Sequence, residues 1–129
     1  IRMINVFSRS TLAAPPSAFG PGTWVYGGST ALARRVIRSN PRVNVFHRGF
    51  LACDRYANGE NAIAAITCPV LFLLGTQDQM THPKAAQGLI ARARGAGKTV
   101  RVAPLPVGHH QMTETPDQTL AEIRQFLAA

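Results

Sequence analysis

Two kinds of side chain suited to moving protons stand in related places in this sequence. The carboxylate is Asp78, three residues beyond the Gly75 that closes the apolar run Val70-Leu71-Phe72-Leu73-Leu74. The imidazoles are His109 and His110, which follow Val107-Gly108 shortly after a second strand-like run over residues 99–103. Thirty-one residues separate Asp78 from His109. Open α/β sheets place ligand and catalytic groups in the loops beyond the carboxyl ends of their strands. If the two runs are parallel neighbours, a carboxylate and an imidazole therefore arrive at the same sheet edge.

The elements that must position this pair are legible in outline. Residues 70–74 show no in/out alternation, which predicts a strand buried on both faces, as in a parallel sheet. Pro83 suits a first helical turn, and Ala85, Ala86, Leu89, Ile90 and Ala93 form one apolar stripe. Gly95 and Gly97 end that helix, with Arg92, Arg94 and Lys98 near its negative end. Residues 99–103 form the second strand. Thr115-Pro116-Asp117-Gln118 reads as a capping box that launches a last helix burying Leu120, Ile123 and Leu127. The order strand, helix, strand, helix predicts parallel strands joined by a right-handed crossover. Glu114 reads as a surface residue near the positive end of the last helix, and His47 and His82 as structural.

The first half is helical and rich in loops. Residues 1–9 resemble the tail of a helix, and residues 10–23, with Pro15-Pro16 and Gly20-Pro21-Gly22, an irregular crossing. Ser29 is expected to cap a helix over residues 29–39 that turns Leu32, Val36 and Ile37 inward. Further helices are expected over residues 43–56 and 60–65. Two strands alone make a marginal sheet, and a strand buried on both faces needs neighbours on both edges. The expectation is a part of a larger α/β sheet, whose other strands lie upstream or in another subunit.

Composition narrows the function classes. The chain has 129 residues, 46% of them hydrophobic and 16% charged, enough for one domain with a core. Its longest apolar run, residues 62–74, holds thirteen residues and includes Thr67 and Pro69. A membrane helix needs about 20, so no membrane partner is expected. No charged-then-apolar leader opens the sequence, which begins with Ile1, and the expected location is cytoplasmic. Cys53 and Cys68 read as buried free thiols, and no Cys/His spacing marks a metal site. The net charge of +8 rests on twelve arginines and two lysines, scattered apart from Arg34-Arg35 with Arg38. Scattered charge without interleaved aromatics argues against nucleic acid as a partner.

The second half resembles the carboxyl-terminal part of the α/β-hydrolase family. The resemblance rests on Cys68-Pro69-Val70-Leu71-Phe72-Leu73-Leu74-Gly75 with Asp78, then Gly108-His109, then Glu114-Thr115-Pro116-Asp117 and Ile123-Arg124-Gln125-Phe126-Leu127. The fold it implies is a partial three-layer α/β-hydrolase, two parallel strands with flanking helices, over residues 67–129. Residues 1–66 are similar to the helical cap that members insert before the penultimate core strand. The resemblance implies a nucleophile–acid–histidine triad in that chain order. Asp78 matches the acid, which fixes the imidazole tautomer, and His109 matches the base, with His110 as the alternative.

The nucleophile departs from the family pattern. No Gly-x-Ser-x-Gly follows a buried strand. Gly27-Gly28-Ser29-Thr30-Ala31 comes nearest, but only three apolar residues precede it, and Ser29 reads as a helix cap. The leading reading is therefore a hydrolase fragment that carries the acid and the base and is catalytically silent alone. Its substrate would be a small apolar ester or related carbonyl compound beneath a cap with residues such as Trp24, Tyr26, Phe46 and Phe50. No cofactor is implied. The competing reading is a non-catalytic module that pairs through its sheet edge in a homo- or hetero-oligomer.

Overall fold

The computed structural model describes residues 21–129, with side chains from Gly27 onward. The expected helix over residues 1–9 and most of the crossing over residues 10–23 lie outside the described residues. The element order is α1 (Pro21–Ser39), α2 (Val45–Arg55), α3 (Gly59–Ala65), β1 (Val70–Gly75), a 3-10 turn (Pro83–Ala86), α4 (Gln87–Gly95), β2 (Val100–Leu105), α5 (Gln111–Glu114) and α6 (Pro116–Leu127). The class is α/β, and no helix among the described residues is long and apolar enough to cross a membrane.

The two strands pair in parallel, from Val70 opposite Val100 to Gly75 opposite Leu105. The Val70 amide donates to Thr99 O and the Thr76 amide to Leu105 O, at 2.9 and 2.8 Å. In a parallel strand the backbone N–H and C=O of one residue point to the same side, and successive residues alternate. Leu71 and Leu73 thus turn their backbone groups away from β2, towards an edge where no strand lies among the described residues. On β2 it is Val100, Val102 and Pro104 that face outward. Proline lacks an N–H, so Pro104 sits where the ladder needs none.

Burial concentrates at the carboxyl end of this sheet. Ala103, Leu105 and Val107 are buried there with Asp78, joined by Ile90 and Ala93 of α4, Ala33 of α1 and Thr119 of α6. Helix α6 packs on both strands, α3 on α4, and α1 on the short α5. Arg101 of β2 reaches α6, pairing with Glu122 at 2.6 Å and with Gln125. The structured end of the sheet is the end that carries the loops of interest.

Several expectations need correction. Helix α1 begins at Pro21 rather than Ser29, so Ser29 lies in its interior and caps nothing. Proline is well tolerated in a first turn, and Gly27 and Gly28 cost the helix only about 1 kcal/mol each. Among the described side chains of α1 the buried residue is Ala33, whereas Leu32 is 51% and Ile37 41% exposed. The true cap of α2 is Asn44, whose side chain accepts from the His47 amide at 3.0 Å. Cys53 and Cys68 are exposed, not buried. In β1, residues 70–74 are half-buried, because β2 is their one strand neighbour among the described residues. Leu120 and Leu127 are 46% and 77% exposed, so α6 covers the sheet with only part of its apolar face. Thr115 makes no side-chain cap bond. The start of α6 is held instead by Thr119, whose Oγ1 donates to Gln111 O at 3.0 Å.

Candidate active site

The site begins with how β1 ends. Gly75 is buried, and a Cβ built there would lie 2.1 Å from Gly108 O and 2.7 Å from Val107 O. Only glycine lets the backbone of the second loop lie directly against the end of the first strand. Two backbone bonds then staple the loops together: Thr76 N–H to Leu105 O at 2.8 Å, and Gln77 N–H to Val107 O at 3.0 Å. The expectation that the carboxylate and imidazole meet at one sheet edge follows from this juxtaposition.

Asp78 uses both of its oxygens. Oδ1 accepts from the Met80 and Thr81 amides, each at 2.8 Å, which fixes the carboxylate within its own turn. Oδ2 lies 2.8 Å from His109 Nδ1. Burial pushes the Asp78 carboxyl up, but the Thr81 amide, the His109 ring and the Met80 amide together outweigh it. The net result lies below the ordinary 3.8. An ionised carboxylate only accepts, so the proton between the two residues resides on His109 Nδ1 and the neutral ring keeps its lone pair on Nε2. The Asp78 side chain is 5% exposed and that of His109 35%, so the reachable end of the pair is the imidazole. A buried acceptor with an accessible oriented ring is the arrangement of a general base.

His110 is half-buried beside this pair, its ring edge-on to that of His109 with centroids 5.7 Å apart. Burial and the neighbouring His109 lower its pKa from 6.5, against the opposing pull of Glu114 and Asp78. The ring bonded to Asp78 Oδ2 is that of His109.

Two residues that sequence reasoning passed over build the second loop. Glu114, taken for a surface carboxylate, accepts from the Gly108 amide through Oε2 at 2.8 Å and from the His110 amide through Oε1 at 3.1 Å. Gln111, with its amide oriented to suit its neighbours, donates to His109 O at 2.7 Å and accepts from the Gly75 amide at 3.3 Å. The available signal was the backbone itself. A tight turn such as Gly108-His109-His110 leaves amides that need acceptors, and a carboxylate a few residues on can supply them. His82 accepts from the Lys84 amide through Nδ1 at 3.3 Å, at the start of the 3-10 turn.

Among the described residues the His109 ring is hydrogen-bonded to Asp78 and to no hydroxyl or thiol. Ser29 is inside α1 and does not follow a strand, and the residues directly after the two strands are Thr76 and Pro106. Phe46 is half-buried and Phe50 exposed on α2, a helix without a buried residue, while the side chains of Trp24 and Tyr26 lie outside those described. Among the described residues no group of three or more His, Cys, Asp or Glu side chains could hold a metal ion. No family model, curated protein or solved structure matches this chain.

Proposed function

We propose that this chain is the carboxyl-terminal segment of an α/β-hydrolase, supplying the acid Asp78 and the base His109 of a triad. The observation that carries this reading is the 2.8 Å contact of His109 Nδ1 with a buried carboxylate at the carboxyl ends of two parallel strands. In the proposed reaction Nε2 removes the proton from a nucleophile's hydroxyl, or from water, as its oxygen bonds to the substrate carbonyl carbon. Asp78 stabilises the imidazolium, which then returns the proton to the departing alkoxide. The substrate class is a small, largely apolar ester or related carbonyl compound, with Phe46 and Phe50 of α2 on its cap side.

The nucleophile and the oxyanion donors come, in this reading, from strands beyond the open edge of β1. The outward N–H and C=O groups of Leu71 and Leu73 and the exposed Leu120 and Leu127 support such an extension. The same open edge favours the second reading, a non-catalytic module that pairs through β1.

The deciding experiment uses the native assembly purified from its source cell. Its turnover of a short-chain aryl ester is measured with wild-type chain and with His109→Ala. The hydrolase reading expects kcat/KM to fall at least about 10³-fold with association unchanged. Turnover that is absent from the wild-type assembly, or indifferent to His109→Ala, rejects it and leaves the module.

A further inference from the structure

We infer that Glu114 is a positioning residue for His109, acting through the two peptide groups that flank it. Its carboxylate binds the amide of Gly108 on one side and the amide of His110 on the other, at 2.8 and 3.1 Å. These bonds fix the peptide planes before and after His109, and with them the direction in which its Cβ leaves the backbone. Charge-assisted bonds from a carboxylate to backbone amides are stronger than neutral ones. The clamp is itself anchored. Glu114 ends α5, where its own amide donates to His110 O at 2.8 Å. α5 is tied to α6 by Thr119 Oγ1, which donates to Gln111 O, and to β1 by the Gly75 N–H, which donates to the Gln111 side-chain oxygen. The imidazole is thus held at its tip by Asp78 and at its root by Glu114.

The importance of this clamp for turnover rests on the hydrolase reading, whereas its action on His109 does not. A ring held only by Asp78 would swing with its loop, and misplacement of a catalytic group by about 1 Å costs on the order of 10²-fold in rate.

The test is proton and nitrogen NMR on the full chain. Wild-type protein is expected to show a downfield, exchange-protected Nδ1 proton on His109, and slow exchange of the Gly108 and His110 amides. In Glu114→Gln one of the two acceptor oxygens becomes a donor. At least one of those amides should then exchange about tenfold faster and the Nδ1 signal should broaden, while the β1–β2 amides keep their protection. Glu114→Ala should lose both amide protections and the Nδ1 signal. Wild-type exchange at both amides with an unchanged His109 signal in Glu114→Gln overturns the proposal, even if Glu114→Ala fails to fold. In the native assembly Glu114→Gln should lower kcat with little change in KM. Should ester turnover prove indifferent to His109→Ala while the NMR changes occur, the hydrolase reading falls and the clamp stands.

Discussion

Gly75 and Gly108 meet backbone to backbone: the position a Cβ would take on Gly75 lies 2.1 Å from the carbonyl oxygen of Gly108. The two candidate chemical groups depend on this contact, since Asp78 is three residues beyond one glycine and His109 is next to the other. The obstructing atoms are backbone, so no rotamer change relieves them.

Gly75→Ala is therefore expected to act on stability and on the site together. Overpacking of this kind costs about 1–3 kcal/mol, more where the backbone must move. Chemical denaturation should report a lowered midpoint, and the His109 Nδ1 proton should lose its exchange protection. A midpoint and signal equal to wild type would show that the loop is not seated on β1.

Asp78→Asn separates geometry from charge. The amide oxygen can still accept from Met80 and Thr81, but the NH2 group now faces His109 Nδ1. The ring is expected to switch its proton to Nε2 and so to present no lone pair there. Ring nitrogen shifts should record the switch, and turnover by the native assembly should fall on the order of 10⁴-fold. An unchanged tautomer would contradict the assignment of Asp78 as orienting acceptor.

Acid should weaken the fold in two stages. His110 has a folded pKa below 6.5, so the unfolded chain binds its proton first, and stability falls as pH drops below 6.5 until the folded value is passed. Asp78 is depressed below 3.8, so its contribution is complete above 3.8 and is lost as pH falls through the folded value. Urea midpoints measured from pH 8 to 3 should show the first decline, absent in His110→Gln, and the second, reduced in Asp78→Asn. Stability that rises on acidification through 6.5, and equally in His110→Gln, would exclude the His110 contribution.

The edge of β1 that meets no strand among the described residues gives an exchange pattern that needs no substitution. In the isolated chain the Leu71 and Leu73 amides should exchange quickly, because they face away from β2. In the native assembly they should become protected, while the Val102 amide on the far edge of β2 stays fast. Protection at Val102 with Leu71 still open would place the added strand on the wrong side.

The local elements and the two central residues were legible because they depend on short-range signals. An uninterrupted apolar run, Gly75, and a Pro-started last helix marked β1 and α6, and the parallel order put Asp78 and His109 at one edge. Signals that depend on tertiary context misled. Pro21-Gly22 suggested an irregular crossing and Ser29 a helix start, yet α1 runs from Pro21 through both. Leu120 and Leu127 have helical spacing for burial, but spacing does not say whether a surface exists to cover them. The second function of Gly75, as a seat for Gly108, could not be separated from its first as a strand stop. Glu114 was missed because its partners are backbone amides, which no residue type reveals.

Pro104 has a consequence for how the chain associates. A sheet open on both sides can add neighbours without limit and grow into a ribbon. Among the described residues the outer side of β2 includes a residue with no hydrogen to offer, whereas the outer side of β1 offers the amides of Leu71 and Leu73, that of Gly75 being taken by Gln111. Self-association through the sheet then ends at two copies meeting edge to edge, which a two-fold axis makes antiparallel. A parallel strand on the same edge must come from a different stretch of polypeptide. The relative direction of the strand paired with Leu71 and Leu73 therefore distinguishes a self-paired module from a segment completed by its hydrolase.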